Sequence, residues 1–98
     1  PALMYAQKMQ KRAARKGAFA QTAEDAAAAL KAAERSWEEA VPENAAERAG
    51  ALLFAAANAM RLAGVDAEEA LTFASGRFRQ ELLQKTEDSD GQERPATV

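Results

Sequence analysis

Apolar positions recur along this chain at intervals of three and four residues, and turn-forming residues interrupt the rhythm. Leu3, Ala6, Met9 and Ala13 lie on one stripe, extended by the aliphatic stem of Lys16, which predicts a first helix over residues 2–16 ending at Gly17. Residues 17–22 connect it to a second helix, opened by Thr22 with Asp25 three places on in a capping-box pattern. That helix carries Leu30, Ala33, Trp37 and Val41 on one face and is expected to run to about Val41, since Pro42 lacks the N–H needed to continue it. Asn44, with Glu47 three residues later, is expected to cap a third helix over 45–63, stopped by Gly64. Its apolar band of Leu52, Leu53, Ala56, Ala57 and Met60 is too wide for a helix with one solvated side, so it is expected to be central. Asp66 with Glu69 opens a fourth helix, 67–85, marked by Leu71, Ala74, Phe78 and Leu82. Gly76 inside it costs about 1 kcal/mol relative to Ala, so close packing or a ligand is expected there.

From Thr86 the chain is polar and contains Gly91 and Pro95, which predicts a helical domain over 1–85 and a disordered tail over 86–98. The connections 42–44 and 64–66 are short enough to make successive helices antiparallel. The expected fold class is all-α, a four-helix bundle.

Composition sharpens this picture. Of the 98 residues 48% are hydrophobic, but 27 of those are Ala, and there is no Ile. Ala favours helices while Val, Ile and Thr favour strands, so a sandwich or parallel sheet is excluded. Eight Leu, four Phe, three Val, three Met, one Trp and one Tyr make a thin core, because Ala brings little area at ~25 cal/mol per Å². A second copy of the chain is the simplest supplier of the missing core, so a homodimer is expected. Trp37, the single Trp, is expected in the core or an interface.

Cys and His are both absent, which removes disulfides, thiolate nucleophiles, the usual general base and the commonest transition-metal ligands. Carboxylates, Lys and Arg remain, and these suit hard cations such as Mg²⁺. No apolar run reaches the ~20 residues of a membrane span and no signal-peptide pattern is present, so a cytoplasmic protein without membrane or nucleic-acid partners is expected. The start at Pro1 rather than Met leads one to expect a piece of a longer protein with a further domain. The net charge of −2 is uneven: Lys8, Lys11, Arg12, Arg15 and Lys16 stand in the first helix without an acid. Such a basic helix suits a phosphate-bearing ligand, or equally a solvated face complementing the acidic remainder.

Candidate chemistry is sparse. Glu34 and Glu38, four residues apart beside Arg35 and Glu39, share a face able to hold a divalent ion, although this spacing on an Ala-rich helix usually marks a solvated face. Glu47 suits the dipole of the third helix. Arg61 and Arg77 are isolated cations. Asn58, four residues after Phe54, reads as a satisfied core amide at a helix crossing or as a ligand contact.

Residues 49–78, AGALLFAAANAMRLAGVDAEEALTFASGRF, resemble the second half of a MazG domain, the all-α nucleoside triphosphate pyrophosphohydrolase family. That family reads E-x-G-D-L-L-F-A-x-x-N-x-A-R-x-L-G-[IV]-D-x-E-x-A-L-x-x-A-N-x-K-F in this stretch. The opening PALMYAQKMQKRAARKG is similar to the start of the C-terminal domain of two-domain MazG proteins. The resemblance covers about residues 1–84 and implies a MazG-like helical bundle completed by dimerisation, with Mg²⁺ as the family's cofactor and a nucleotide as its ligand.

The catalytic pattern departs from the family. Its E-E-x-x-E falls on Glu34, Arg35 and Glu38, and its E-x-x-D on Arg48 and Ala51. The four metal-ligand positions therefore read Arg35, Glu38, Arg48 and Ala51, a summed charge of +1 where the family has −4. At ~4 kcal/mol per unit-charge pair in an effective dielectric near 20, two guanidinium groups repel a dication by several kcal/mol. Further along, the family's A-N-x-K-F becomes Ala74–Phe78, with Ser75 for its Asn and Arg77 for its Lys, so Arg77 and Asn58 are the substrate-contact candidates. Its aromatic G-F-D-W becomes Gly17-Ala18-Phe19-Ala20. The expectation is a domain that has lost catalysis, binds no metal and is kept for dimerisation or support of another domain. Two alternatives stay open: an active enzyme using Glu34 and Glu38 with the partner chain, and a metal-free anion or nucleotide binder in which Arg35 and Arg48 replace the metal's charge.

Overall fold

A computed structural model describes residues 1–19 and 21–88. It is all-helical, with α1 (Ala2–Arg15), α2 (Ala23–Glu38), α3 (Ala45–Leu62) and α4 (Ala67–Asp88) and no strand among the described residues. The chain forms two compact units, Pro1–Glu68 and Glu69–Val98.

In the first unit α1 and α2 both pack on α3, the central position expected of that broad apolar band. The pairs Gln10–Phe54 and Gln7–Ala57 run in opposite directions along the two helices, so α1 is antiparallel to α3. Arg48 reaching Ser36, and Asn58 reaching Gln21, place α2 antiparallel to α3 in the same way.

The helix ends are built by local chemistry. Thr22 Oγ1 accepts from the Asp25 amide at 3.0 Å and the Asp25 carboxylate accepts from the Thr22 amide at 3.1 Å, a complete capping box. α1 and α3 end alike, each with a glycine at positive φ, 76° at Gly17 and 79° at Gly64. The amide beyond each glycine reaches back to the last turn, Ala18 to the Ala13 carbonyl at 2.9 Å and Val65 to that of Met60 at 2.8 Å. These are Schellman ends, in which glycine avoids the Cβ clash of the left-handed conformation.

Two boundaries and one cap differ from the periodicity. α2 stops at Glu38 rather than about Val41, because the residue before a proline is pushed out of the α region. Asn44 does not cap α3 with its side chain. Its Oδ1 instead accepts from the Val41 amide at 3.0 Å, while its own amide donates to the Val41 carbonyl at 3.0 Å, closing the turn around Pro42. α4 runs past Lys85 to Asp88, with the Thr86 hydroxyl donating to the Leu82 carbonyl at 2.9 Å. The rest of the tail, 89–98, lies outside the described residues.

The core is thinner than the apolar pattern implies. Among the described residues the buried hydrophobic side chains are Ala26, Ala57 and Ala67, and the buried polar ones are Gln10 and Asn58. On α1 the packed position is Gln10 rather than Met9, which is 41% exposed. Leu3, Ala6, Gln10 and Ala13 keep the three-four spacing of one face, and Met9 stands about 100° away from Gln10. Trp37 and Val41 are also exposed rather than packed.

Gly76 has open space where a Cβ would stand, and its φ is not positive, so neither close packing nor backbone geometry requires glycine there. Gly76→Ala is accordingly expected to raise the helical content of α4 and stabilise it by up to about 1 kcal/mol. Gly64→Ala is expected to cost about 1–2 kcal/mol by forcing a Cβ into the left-handed region. Circular dichroism melts of the two variants check these opposite signs.

Candidate functional site

The positions singled out by the sequence resemblance, Arg35, Glu38, Arg48 and Ala51, fall on the last turns of α2 and the first half of α3. Glu34, Arg35 and Glu38 are exposed on α2, and Glu39 is the residue that ends it. Carboxylates at a helix C-terminus oppose its dipole, whereas a cation there is favoured. Arg48 supplies one: its Nη1 donates to the Ser36 carbonyl at 2.9 Å, tying the start of α3 to the end of α2. The guanidinium therefore serves as a cap for the end of α2.

Among the described residues no three acidic side chains come close enough to hold a metal ion. The positions Arg35, Glu38, Arg48 and Ala51 do not fit Mg²⁺, which requires a near-octahedral oxygen shell.

Ala51 lines a small cleft of about 190 Å³ with Phe19, Gln21, Ala26, Ala29, Phe54, Ala55 and Asn58. The rings of Phe19 and Phe54 stand 6.3 Å apart, tilted by 51°. Ala20, the remaining member of the Gly17–Ala20 stretch, lies outside the described residues. No lining side chain is titratable, so this cleft provides neither a base nor a nucleophile.

Asn58 joins this cleft to a polar chain. Its Nδ2 donates to Gln21 Oε1 at 2.7 Å, and its Oδ1 accepts from Arg61 Nε at 2.9 Å. At 2% exposure, Asn58 matches the reading of a satisfied core amide at a helix crossing. Arg77, the other substrate-contact candidate, is exposed on α4.

A second cleft of about 260 Å³ is lined by Met4, Gln7, Lys8, Lys11, Arg61, Gly64, Val65 and Asp66. Gln7 is committed at both ends: Nε2 donates to the carbonyls of Ala57 at 2.9 Å and Val65 at 3.1 Å, and Oε1 accepts from the Ala67 amide at 3.1 Å. Periodicity passed over Gln7, Gln10 and Gln21, although all three carry the tertiary hydrogen bonding. The available signal was Gln7 and Gln10, three residues apart, on the same side of α1 as Leu3 and Ala6.

Two substitutions separate satisfied from unsatisfied burial. Asn58→Ala leaves Gln21 Oε1 and Arg61 Nε without their partner and is expected to cost about 1–3 kcal/mol. Gln10 Nε2 donates to the Phe54 carbonyl at 3.0 Å, but its buried Oε1 has no partner. Gln10→Leu therefore removes an unpaired acceptor along with one bond and is expected to cost less than about 1 kcal/mol. Denaturant titration of both variants measures the difference.

No protein-family profile, curated protein or solved structure matches this chain. The likeness to MazG domains is carried by the residue pattern alone.

Proposed function

We propose that this chain is a MazG-type helical domain that has lost pyrophosphohydrolase chemistry and is kept as a structural, dimerising module. The observation that carries the loss is Arg48, placed at a family carboxylate position and bonded to the Ser36 carbonyl at 2.9 Å. Pyrophosphohydrolysis requires Mg²⁺ to neutralise the triphosphate and position the attacking water. A lone Glu38 beside Arg35 and Arg48 offers neither the ligand number nor the charge. Glu34 adds one further carboxylate on the exposed side of α2, short of an octahedral set.

Dimerisation is supported by the mismatch between buried and exposed apolar side chains. Among the described residues three alanines are the buried hydrophobic ones, while Trp37 is 44% exposed, Leu53 58%, Phe73 68% and Phe78 66%. Large apolar groups left in water favour association. Light scattering or equilibrium sedimentation at micromolar concentration is expected to show a species near twice the 10.5 kDa of one chain. A clean monomer contradicts the assembly part of the proposal.

The catalytic part is tested by the unmodified chain. It is expected to release no pyrophosphate from common nucleoside triphosphates with Mg²⁺, above a heat-inactivated control, and to show no specific Mg²⁺ binding by calorimetry. The triple change Arg35→Glu, Arg48→Glu and Ala51→Asp re-creates the family's carboxylates at unchanged spacing and is expected to restore Mg²⁺ binding. Mg²⁺-dependent turnover by the unmodified chain would falsify the loss of catalysis.

A further inference from the structure

The basic cleft beside α1 belongs to neither the family's metal positions nor the proposed dimerisation. Lys8 and Lys11 stand one helical turn apart on α1 and line it together with Arg61 of α3. Asp66 is the one carboxylate among the lining residues, and the Glu68 carboxylate stands at the rim, accepting from the Met4 amide at 3.1 Å, so three cations face two anions. α1 has no acidic residue at all, and Arg12, Arg15 and Lys16 add to the positive field around the cleft.

Arg61 is the element that makes this more than a pair of surface lysines. Its Nε is taken by Oδ1 of Asn58, a side chain only 2% exposed and itself tied to Gln21. That bond fixes the guanidinium through its Nε, and the Nη nitrogens are the donors the side chain can turn to a ligand. A planar fork of this kind pairs with two oxygens of one oxyanion, and two ammonium groups nearby complete the charge balance for a dianion.

The wall opposite is equally fixed. Gln7 clamps the carbonyls of Ala57 and Val65 and the amide of Ala67. The amides of Gly64 and Val65 bond to the carbonyls of Arg61 and Met60, so the end of α3 does not present those oxygens bare to an anion. We propose that this cleft is a binding site for a phosphate dianion, free or as a small monoester, held by Arg61, Lys8 and Lys11 without a metal. It does not depend on the loss of catalysis or on the dimer.

The test is a titration of the ¹⁵N-labelled full chain with inorganic phosphate, at constant ionic strength maintained with chloride. Glycerol phosphate in a parallel arm distinguishes an esterified source from free phosphate. Saturable shifts confined to residues 4–11 and 58–67 are expected, with the tighter of the two ligands naming the source. Arg61→Gln is expected to weaken binding at least about tenfold, and Lys8→Gln or Lys11→Gln several-fold each. Asp66→Asn, which removes one opposing charge while keeping a helix-capping side chain, is expected to tighten binding several-fold. If Arg61→Gln proves unstable, the two lysine variants and Asp66→Asn still decide. Shifts that never saturate, or that spread equally to Arg77 and Arg79, would overturn the assignment, as would affinity unaffected by Asp66→Asn.

Discussion

The attachment of α1 to α3 depends on side-chain amides bonded to main-chain carbonyls. Gln10 reaches Phe54, and Gln7 reaches Ala57 and Val65, at points where a typical bundle would place interlocking leucines. With alanines as its buried hydrophobic residues, this unit lacks the apolar area that usually decides helix pairing. Hydrogen bonds of about 1 kcal/mol each then become a large share of the specificity. They are also directional, which sets the register of α1 on α3. The unpaired Oε1 of Gln10 is the price of using an amide where only one end finds a partner.

The same economy of large side chains shapes the α2–α3 pair. Arg48 and Asn58 tie α3 to α2 and to the segment preceding it, near opposite ends of their contact, and alanines fill the space between them. Small residues let the helices approach closely, but they leave the apolar cleft at Phe19 and Phe54 with no ionisable group. Polar function is displaced to the edges: a helix-capping guanidinium at one end, and the basic cleft at the other. Asn58 serves structure and site together, since the amide that satisfies the crossing also orients Arg61.

α4 follows a different logic. Leu71, Phe78 and Leu82 recur on one side of the helix and are at least half exposed. The stripe is narrow, and Arg77, Arg79 and Glu81 stand off it, as expected of a helix that meets a partner along a seam.

Helix number, order and most boundaries were legible in the residues, because caps and C-terminal glycines act locally. Thr22 with Asp25, Gly17 and Gly64 work through bonds spanning a few residues, and their chemistry is the same in any fold. α2 ends short of Val41 because the residue before Pro42 is pushed out of the α region, and Asn44, with two local choices, closes that turn rather than capping α3 with its side chain. Burial was a tertiary decision. Gln10 rather than Met9 faces α3, since only an amide at that place meets the Phe54 carbonyl, and one residue turns a side chain by about 100°. That positions 48 and 51 bring no carboxylate to α3 was visible in the sequence. That Arg48 caps α2 through Ser36, and that Arg61 is gathered with Lys8 and Lys11 around one cleft, came only from the antiparallel packing of α1 and α2 on α3. Residues some 50 positions apart in sequence meet there through helix packing, which no local periodicity encodes.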